Sequence, residues 1–100
     1  MERLIFVYGS LLDSRQRDLI LKRKVSGDSD VLMNYMKMPH PVFKIYPTIK
    51  PKEGKKVLGE TFKVSDKDIT RLDTYETSYY KKIEVTLSSG KKALAYVDVV

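Results

Sequence analysis

Glu76 is the residue whose position points most directly to chemistry. If the helix opened by Ser65 runs on past Thr74, then Ile69, Leu72 and Glu76 stand at i, i+3 and i+7 and share one face. Ile69 and Leu72 require that face to be buried, which would carry Glu76 inward. A carboxylate taken out of water is costly unless hydrogen-bonded, and desolvation raises its pKa toward the range useful to a general base. Tyr75, Tyr79 and Tyr80 crowd around it and offer hydroxyls. The spacing also allows a plainer reading, in which the helix stops near Thr74 and Glu76 pairs with Lys81 or Lys82 in solvent.

A second candidate lies where the apolar segment Arg3 to Tyr8 runs into Gly9 and Ser10. Backbone N–H groups at such a strand end, with no Cβ at Gly9 to block approach, suit an anion or a developing oxyanion. A Gly-Ser pair after a strand is equally the mark of an ordinary turn. The lysine and second glycine of a phosphate-binding loop are missing, as is a dinucleotide fingerprint. Ser10 lacks the G-x-S-x-G context of a serine nucleophile. The absence of cysteine excludes disulfides, thiolate metal sites and cysteine nucleophiles, and a single histidine excludes any site needing two imidazoles. No metal site is expected: Asp28 and Asp30 lack the ligand periodicity of a calcium loop and read as turn residues. His40, between Pro39 and Pro41, reads as a surface loop residue. Tyr46 either lines a pocket beside Pro47 or simply packs.

These side chains must be positioned by a small fold. One hundred residues, 42% apolar and 32% charged, suit one globular domain spanning 1–100. Strands are expected over Arg3–Tyr8, Val31–Met38, Phe43–Ile49 (an edge strand or lining loop, interrupted by Pro47), Val57–Val64, Ile83–Leu87 and Ala93–Val99. On the fourth, Leu58, Phe62 and Val64 fall on one face. Short helices are expected from Asp13 to about Lys24, with Leu19, Ile20 and Leu21 as the apolar side, and from Ser65 onward, capped with Asp68. Ser26 to Asp30 and Pro51 to Lys55 read as turns. Loops too short for repeated crossover helices make the sheet mixed or mainly antiparallel. The fold class is therefore α+β, with a curled sheet or small barrel.

A net charge of +6 favours solubility and attracts anions. The basic clusters, such as Lys22-Arg23-Lys24 and Lys91-Lys92, are scattered and no nucleic-acid motif accompanies them, so no specific nucleic-acid partner is expected. The longest apolar run, Leu4 to Tyr8, is far too short to span a bilayer and follows Glu2 and Arg3 too closely for a secretory segment, so the expected location is the cytoplasm. A single Gln16 and a single Asn34 among many lysines match the thermolabile-residue depletion of heat-adapted proteins. Nothing in the pattern sets an oligomeric state.

Phe6-Val7-Tyr8-Gly9-Ser10-Leu11 resembles the F-V-Y-G-[ST]-L signature of the gamma-glutamylcyclotransferase-like superfamily. Tyr46-Pro47-Thr48 resembles the Y-P-[AT] segment of its short branch, which contains gamma-glutamylamine cyclotransferase. Val57-Leu58-Gly59-Glu60 is similar to that branch's V-x-G-E strand, and Leu72-Asp73-Thr74-Tyr75-Glu76 to L-D-x-[FY]-E. The resemblance covers nearly the whole chain, in order. It implies a small mixed barrel with flanking helices and cofactor-free cyclisation of a gamma-glutamyl amide to 5-oxoproline with release of an amine. By the same resemblance Glu76 is the catalytic acid/base, and Tyr8, Gly9, Ser10 and Leu11 hold the gamma-glutamyl moiety, with Tyr46 and Tyr80 as further substrate contacts. The chain departs from the pattern after Glu76. The arginine of a Y-x-R segment is replaced by Lys81-Lys82, which keep charge but lose a bidentate fork. Two other functions fit the same sequence: a binding module holding a small anion without turnover, and a basic nucleic-acid-binding domain.

Overall fold

The first strand sets the architecture. The structure, a computed structural model, describes residues 3–99. In β1 (Arg3–Val7), Ile5, Phe6 and Val7 are buried in succession, as a strand covered on both faces requires. It lies at the centre of a five-stranded mixed sheet of order β2-β3-β1-β5-β4. β3 (Pro47–Val64) pairs with it antiparallel and β5 (Lys92–Asp98) parallel. β2 (Asp28–Pro39) lies outside β3, and β4 (Tyr80–Thr86) outside β5.

Alternation divides the core in two. Ile5 and Val7, with Phe62, Val64 and Tyr96, face the helices α1 (Ser14–Leu21) and α2 (Asp66–Glu76), which contribute Leu21, Ile69 and Leu72. Phe6 and Tyr8 point the other way, into a layer with Leu32, Val57, Val85 and Ala95. The sheet curls round that layer. The β4–β5 turn reaches the far edge strand, where the Ser88 N–H donates to the Val31 carbonyl at 2.8 Å. The curled, mixed α+β fold agrees with the sequence expectation.

The helix ends follow local chemistry. Asp13 caps α1, accepting from the Arg15 N–H at 2.9 Å. Ser65 and Asp68 form a reciprocal capping box on α2. Thr77, at φ 68°, terminates α2 directly after Glu76. α2 therefore does continue past Thr74, as the inward reading of Glu76 requires.

Several local expectations are corrected. Among the described residues there are five strands, because Phe43–Tyr46 is loop and the segments on either side of Pro51–Lys55 belong to the single strand β3. The expected turn at Pro51–Lys55 is a bulge: Met33 pairs with Lys56 but Tyr35 pairs with Pro51. Asn34 and Gly54 absorb it with positive φ, and the Gly54 N–H donates to Asn34 Oδ1. Leu58 shares the parity of Phe62 and Val64, yet it is 64% exposed because neither helix reaches that far along β3. α1 ends at Leu21, where Lys22 turns left-handed, and Leu19 is 74% exposed. Asp28 and Asp30 are strand residues, and Asp30 accepts from the Ser89 hydroxyl across the curl.

Candidate active site

A cavity of about 260 Å³ opens at the C-terminal end of β1. It is near the small end of the roughly 300–1,000 Å³ usual for small-molecule sites. Tyr8, Gly9, Ser10, Leu11, Tyr46, Glu76 and Tyr80 all line it, so every site residue singled out in the sequence meets at one place.

Burial of Ile69 and Leu72 turns the last residue of α2 into the cavity. The Glu76 carboxyl has no hydrogen bond or ion pair among the described residues, and desolvation pushes its pKa up to about 7. Lys82 does not reach it; its ammonium instead pairs with Asp73 at 2.7 Å, and neither Lys81 nor Lys82 lines the cavity. Burial pulls the Asp73 carboxyl upward, but hydrogen bonds from Lys82 and Tyr96 outweigh this and hold it below the usual range.

Opposite Glu76 stands the segment after β1. Ser10 to Leu12 form a single 3-10 turn, with the Leu12 N–H on the Gly9 carbonyl at 2.9 Å. The N–H groups that open such a turn have no acceptor inside it. Gly9 is required by its neighbour: a Cβ there would stand 2.8 Å from Pro47 Cγ. Glycine thus serves the packing of Pro47, not only open access for a ligand.

The tyrosine hydroxyls are oriented by the backbone. Tyr8 donates to the Tyr96 carbonyl, and Tyr80 to the Pro47 carbonyl at 3.0 Å. Burial, then the nearby Tyr80 and Glu76, push the Tyr8 phenol upward. Burial and the Glu76 charge carry Tyr80 to about 12. Both remain phenols with their protons committed, and both oxygens retain acceptor lone pairs.

A chain comparison identifies the lineage of this arrangement. Residues 5–100 match the family model described as gamma-glutamyl cyclotransferase, AIG2-like. The chain belongs to this family. A solution structure from Arabidopsis thaliana is 28% identical with a TM-score of 0.85, covering 99% of this chain and 63% of that one. The chain therefore spans less than two thirds of that relative. A structure titled gamma-glutamyl cyclotransferase is 20% identical, with a TM-score of 0.80 over 99% of this chain and 68% of its own. An uncharacterised Homo sapiens protein is also 20% identical, with a TM-score of 0.83 over 99% and 68%. No curated protein matches the sequence at a significant level.

Other family segments have structural duties beside the cavity. A Cβ on Gly59 would lie 2.3 Å from the Val7 carbonyl oxygen and 2.6 Å from the Phe6 ring, so glycine lets β3 pass close to β1. Glu60 pairs at 2.7 Å with Arg17, whose guanidinium also reaches the Leu11 carbonyl and lies over the Phe62 ring. Arg17 is 4% exposed and was not legible as a core residue, since an arginine on a short polar helix reads as surface.

The expectation for His40 is wrong. It is 1% exposed, because its ring fills the space under the Pro39–Pro47 loop. Nδ1 accepts the N–H groups of Val42 and Phe43, and the ring packs 4.9 Å from Tyr80 and 5.6 Å from Phe43. Phe43, which it supports, also lines the cavity and was not singled out; Tyr79 lines it too, as its place near Glu76 in the sequence suggests. The two flanking prolines were the available signal, since they mark a shaped loop.

Proposed function

We propose that this family member is a cofactor-independent cyclotransferase. It would convert a gamma-glutamyl amide into 5-oxoproline and a free amine, with Glu76 as the proton carrier. The observation that carries this reading is a carboxyl with no partner among the described residues and a pKa near 7, held in a cavity between hydroxyls and the N–H groups after β1.

The polar groups match the substrate's needs. Glu76, Tyr8 Oη and Tyr80 Oη are acceptors suited to an alpha-amino group, while the Ser10–Tyr75 pair and the turn at Gly9–Leu11 offer donors to carboxylate and carbonyl oxygens. The free-base amine attacks its own gamma-carbonyl carbon, and as the C–N bond forms the nitrogen becomes acidic and Glu76 takes its proton. Backbone N–H groups stabilise the tetrahedral oxyanion. The oxyanion then collapses, the original amide C–N bond breaks, and Glu76 returns the proton to the departing nitrogen. Because the attack is intramolecular, holding the chain folded supplies on the order of several kcal/mol of the barrier reduction.

The decisive experiment is 5-oxoproline release from a panel of gamma-glutamyl amides, with Glu76→Gln as control. Release by the parent and not by the variant supports the reaction and the base. Release by both removes Glu76 from the role. Saturable binding of the same compounds without release would favour a binding module.

A further inference from the structure

Arg17 is buried at a place where a guanidinium contributes little to stability. It pairs with Glu60, yet its Nε is buried with no hydrogen-bond partner among the described residues. An apolar replacement for a buried ion pair is often neutral or stabilising, and an unpaired buried N–H adds a further cost. The fold nevertheless makes room for the pair: a Cβ on Gly27 would stand 2.3 Å from Glu60 Oε1 and 3.1 Å from Arg17 Nη1. What an apolar side chain could not supply is the second bond. Nη1, the nitrogen that donates to Glu60, also donates to the Leu11 carbonyl at 3.3 Å. That carbonyl belongs to the Leu11–Leu12 peptide in the turn after β1. The N–H of the same planar unit donates to the Gly9 carbonyl at 2.9 Å, so the turn holds one end of the peptide and Arg17 holds the other. Glu60 is itself fixed by its register opposite Val7 on β1, two residues before Gly9.

We propose that Arg17 is a positioning residue: by holding the Leu11 carbonyl it keeps the turn closed and the Ser10 and Leu11 N–H groups aimed at the developing oxyanion. The role rests on the cyclisation proposed above. Those two N–H groups precede the pinned peptide and have no acceptor inside the turn, so their direction is set by the turn's closure. Arg17 does not line the cavity and acts only through the backbone. Because the oxyanion exists in the transition state and not in the bound substrate, loss of this alignment lowers kcat and leaves KM in place.

The test uses the double variant Arg17→Met, Glu60→Ala, which removes the guanidinium without stranding a charge. Amide hydrogen exchange, which needs no substrate, is expected to be about tenfold faster at the Leu12 N–H of the variant, with the amides of β1 and β3 as protected as in the parent. On the gamma-glutamyl amide of the panel that the parent turns over fastest, kcat is expected to fall about tenfold or more, with KM within about twofold. A merely structural role would return stability and turnover together. If the double variant does not fold, Arg17→Lys takes its place: its shorter ammonium keeps a charge for Glu60 but draws back from Leu11, and the same two changes are expected. Unchanged kcat, a loss carried by KM, or an unchanged Leu12 exchange rate overturns the positioning role and leaves the cyclisation standing. If the parent releases 5-oxoproline from no amide of the panel, the cyclisation fails and Leu12 exchange alone decides. Faster exchange then supports Arg17 as the residue that holds the turn, and an unchanged rate overturns that as well.

Discussion

Ser10 Oγ and Tyr75 Oη lie 2.7 Å apart although their residues are 65 positions apart in the chain. This hydrogen bond joins the turn after β1 to the last turn of α2, one residue before Glu76. It fixes the distance between the N–H groups that would receive an oxyanion and the carboxyl that would carry the proton. Two elements from different parts of the chain thereby act as one wall.

Tyr75→Phe should separate geometry from stability. The variant keeps the ring and loses one hydrogen bond, so unfolding measurements should show a loss of only about 0.5–1.5 kcal/mol. Turnover should fall more steeply, on the order of tenfold or more, because small misplacements of reacting groups are amplified in rate. Unchanged kcat with an intact fold would show that the bond merely packs the loop.

The raised pKa of Glu76 makes opposite demands on activity and stability. The base must be ionised, so kcat/KM should rise with pH through about 7 and level off above it. For stability, the folded carboxyl binds its proton more tightly than the unfolded one, which titrates near 4.5. The folded state thus holds more protons between about 4.5 and 7, and stability falls as pH rises across that window. Glu76→Gln removes this penalty. After discounting for partial solvent access, the variant should be more stable than the parent at pH 8 by on the order of 1–2 kcal/mol. The two should converge near pH 4, as thermal unfolding at both pH values would show.

Glu60 is expected to matter through Arg17. Removing it as Glu60→Ala would leave a buried guanidinium with no carboxylate, at a cost on the order of 3 kcal/mol. The double variant Arg17→Met, Glu60→Ala should recover much of that loss, because it removes the stranded charge while keeping an apolar stem beside Phe62. Denaturant unfolding of the single and double variants completes the cycle; equal destabilisation in both would show that the charge is not the cause.

What was legible in the sequence is what depends on local periodicity. The capped α2 with Ile69 and Leu72 inward determines where Glu76 points, and the alternation from Ile83 to Leu87 and from Ala93 to Val97 determines the closing hairpin. The motifs around Gly9 and Pro47 mark loops that line the same cavity. What was not legible depends on long-range pairing. β3 continues through Pro51–Lys55 because β2 lies alongside it and a bulge at Asn34 accommodates the excess residues. His40 and Arg17 are polar residues whose burial becomes affordable only through partners distant in sequence, Tyr80 for one and Glu60 for the other. The contact between Phe43 and Tyr79 was likewise hidden, since the β2–β3 loop and the segment after α2 meet only in the folded chain.

Gly9 and Pro47 give the sharpest test of how the loop is held. Gly9 does not occupy the left-handed region, its φ being −131°. The contact is explicit: a Cβ would stand 2.8 Å from Pro47 Cγ and 3.1 Å from Cδ. Gly9→Ala must therefore push the loop and Pro47 apart, at about 1–3 kcal/mol, the usual cost of overpacking. The displaced N–H groups should lower turnover by roughly tenfold to a hundredfold. Pro47→Ala removes both clashing atoms but keeps the carbonyl that accepts from Tyr80. Combining it with Gly9→Ala should restore stability and part of the turnover relative to Gly9→Ala alone. A double variant no better than the single one would show that the Pro47 contact is not what requires glycine at this position.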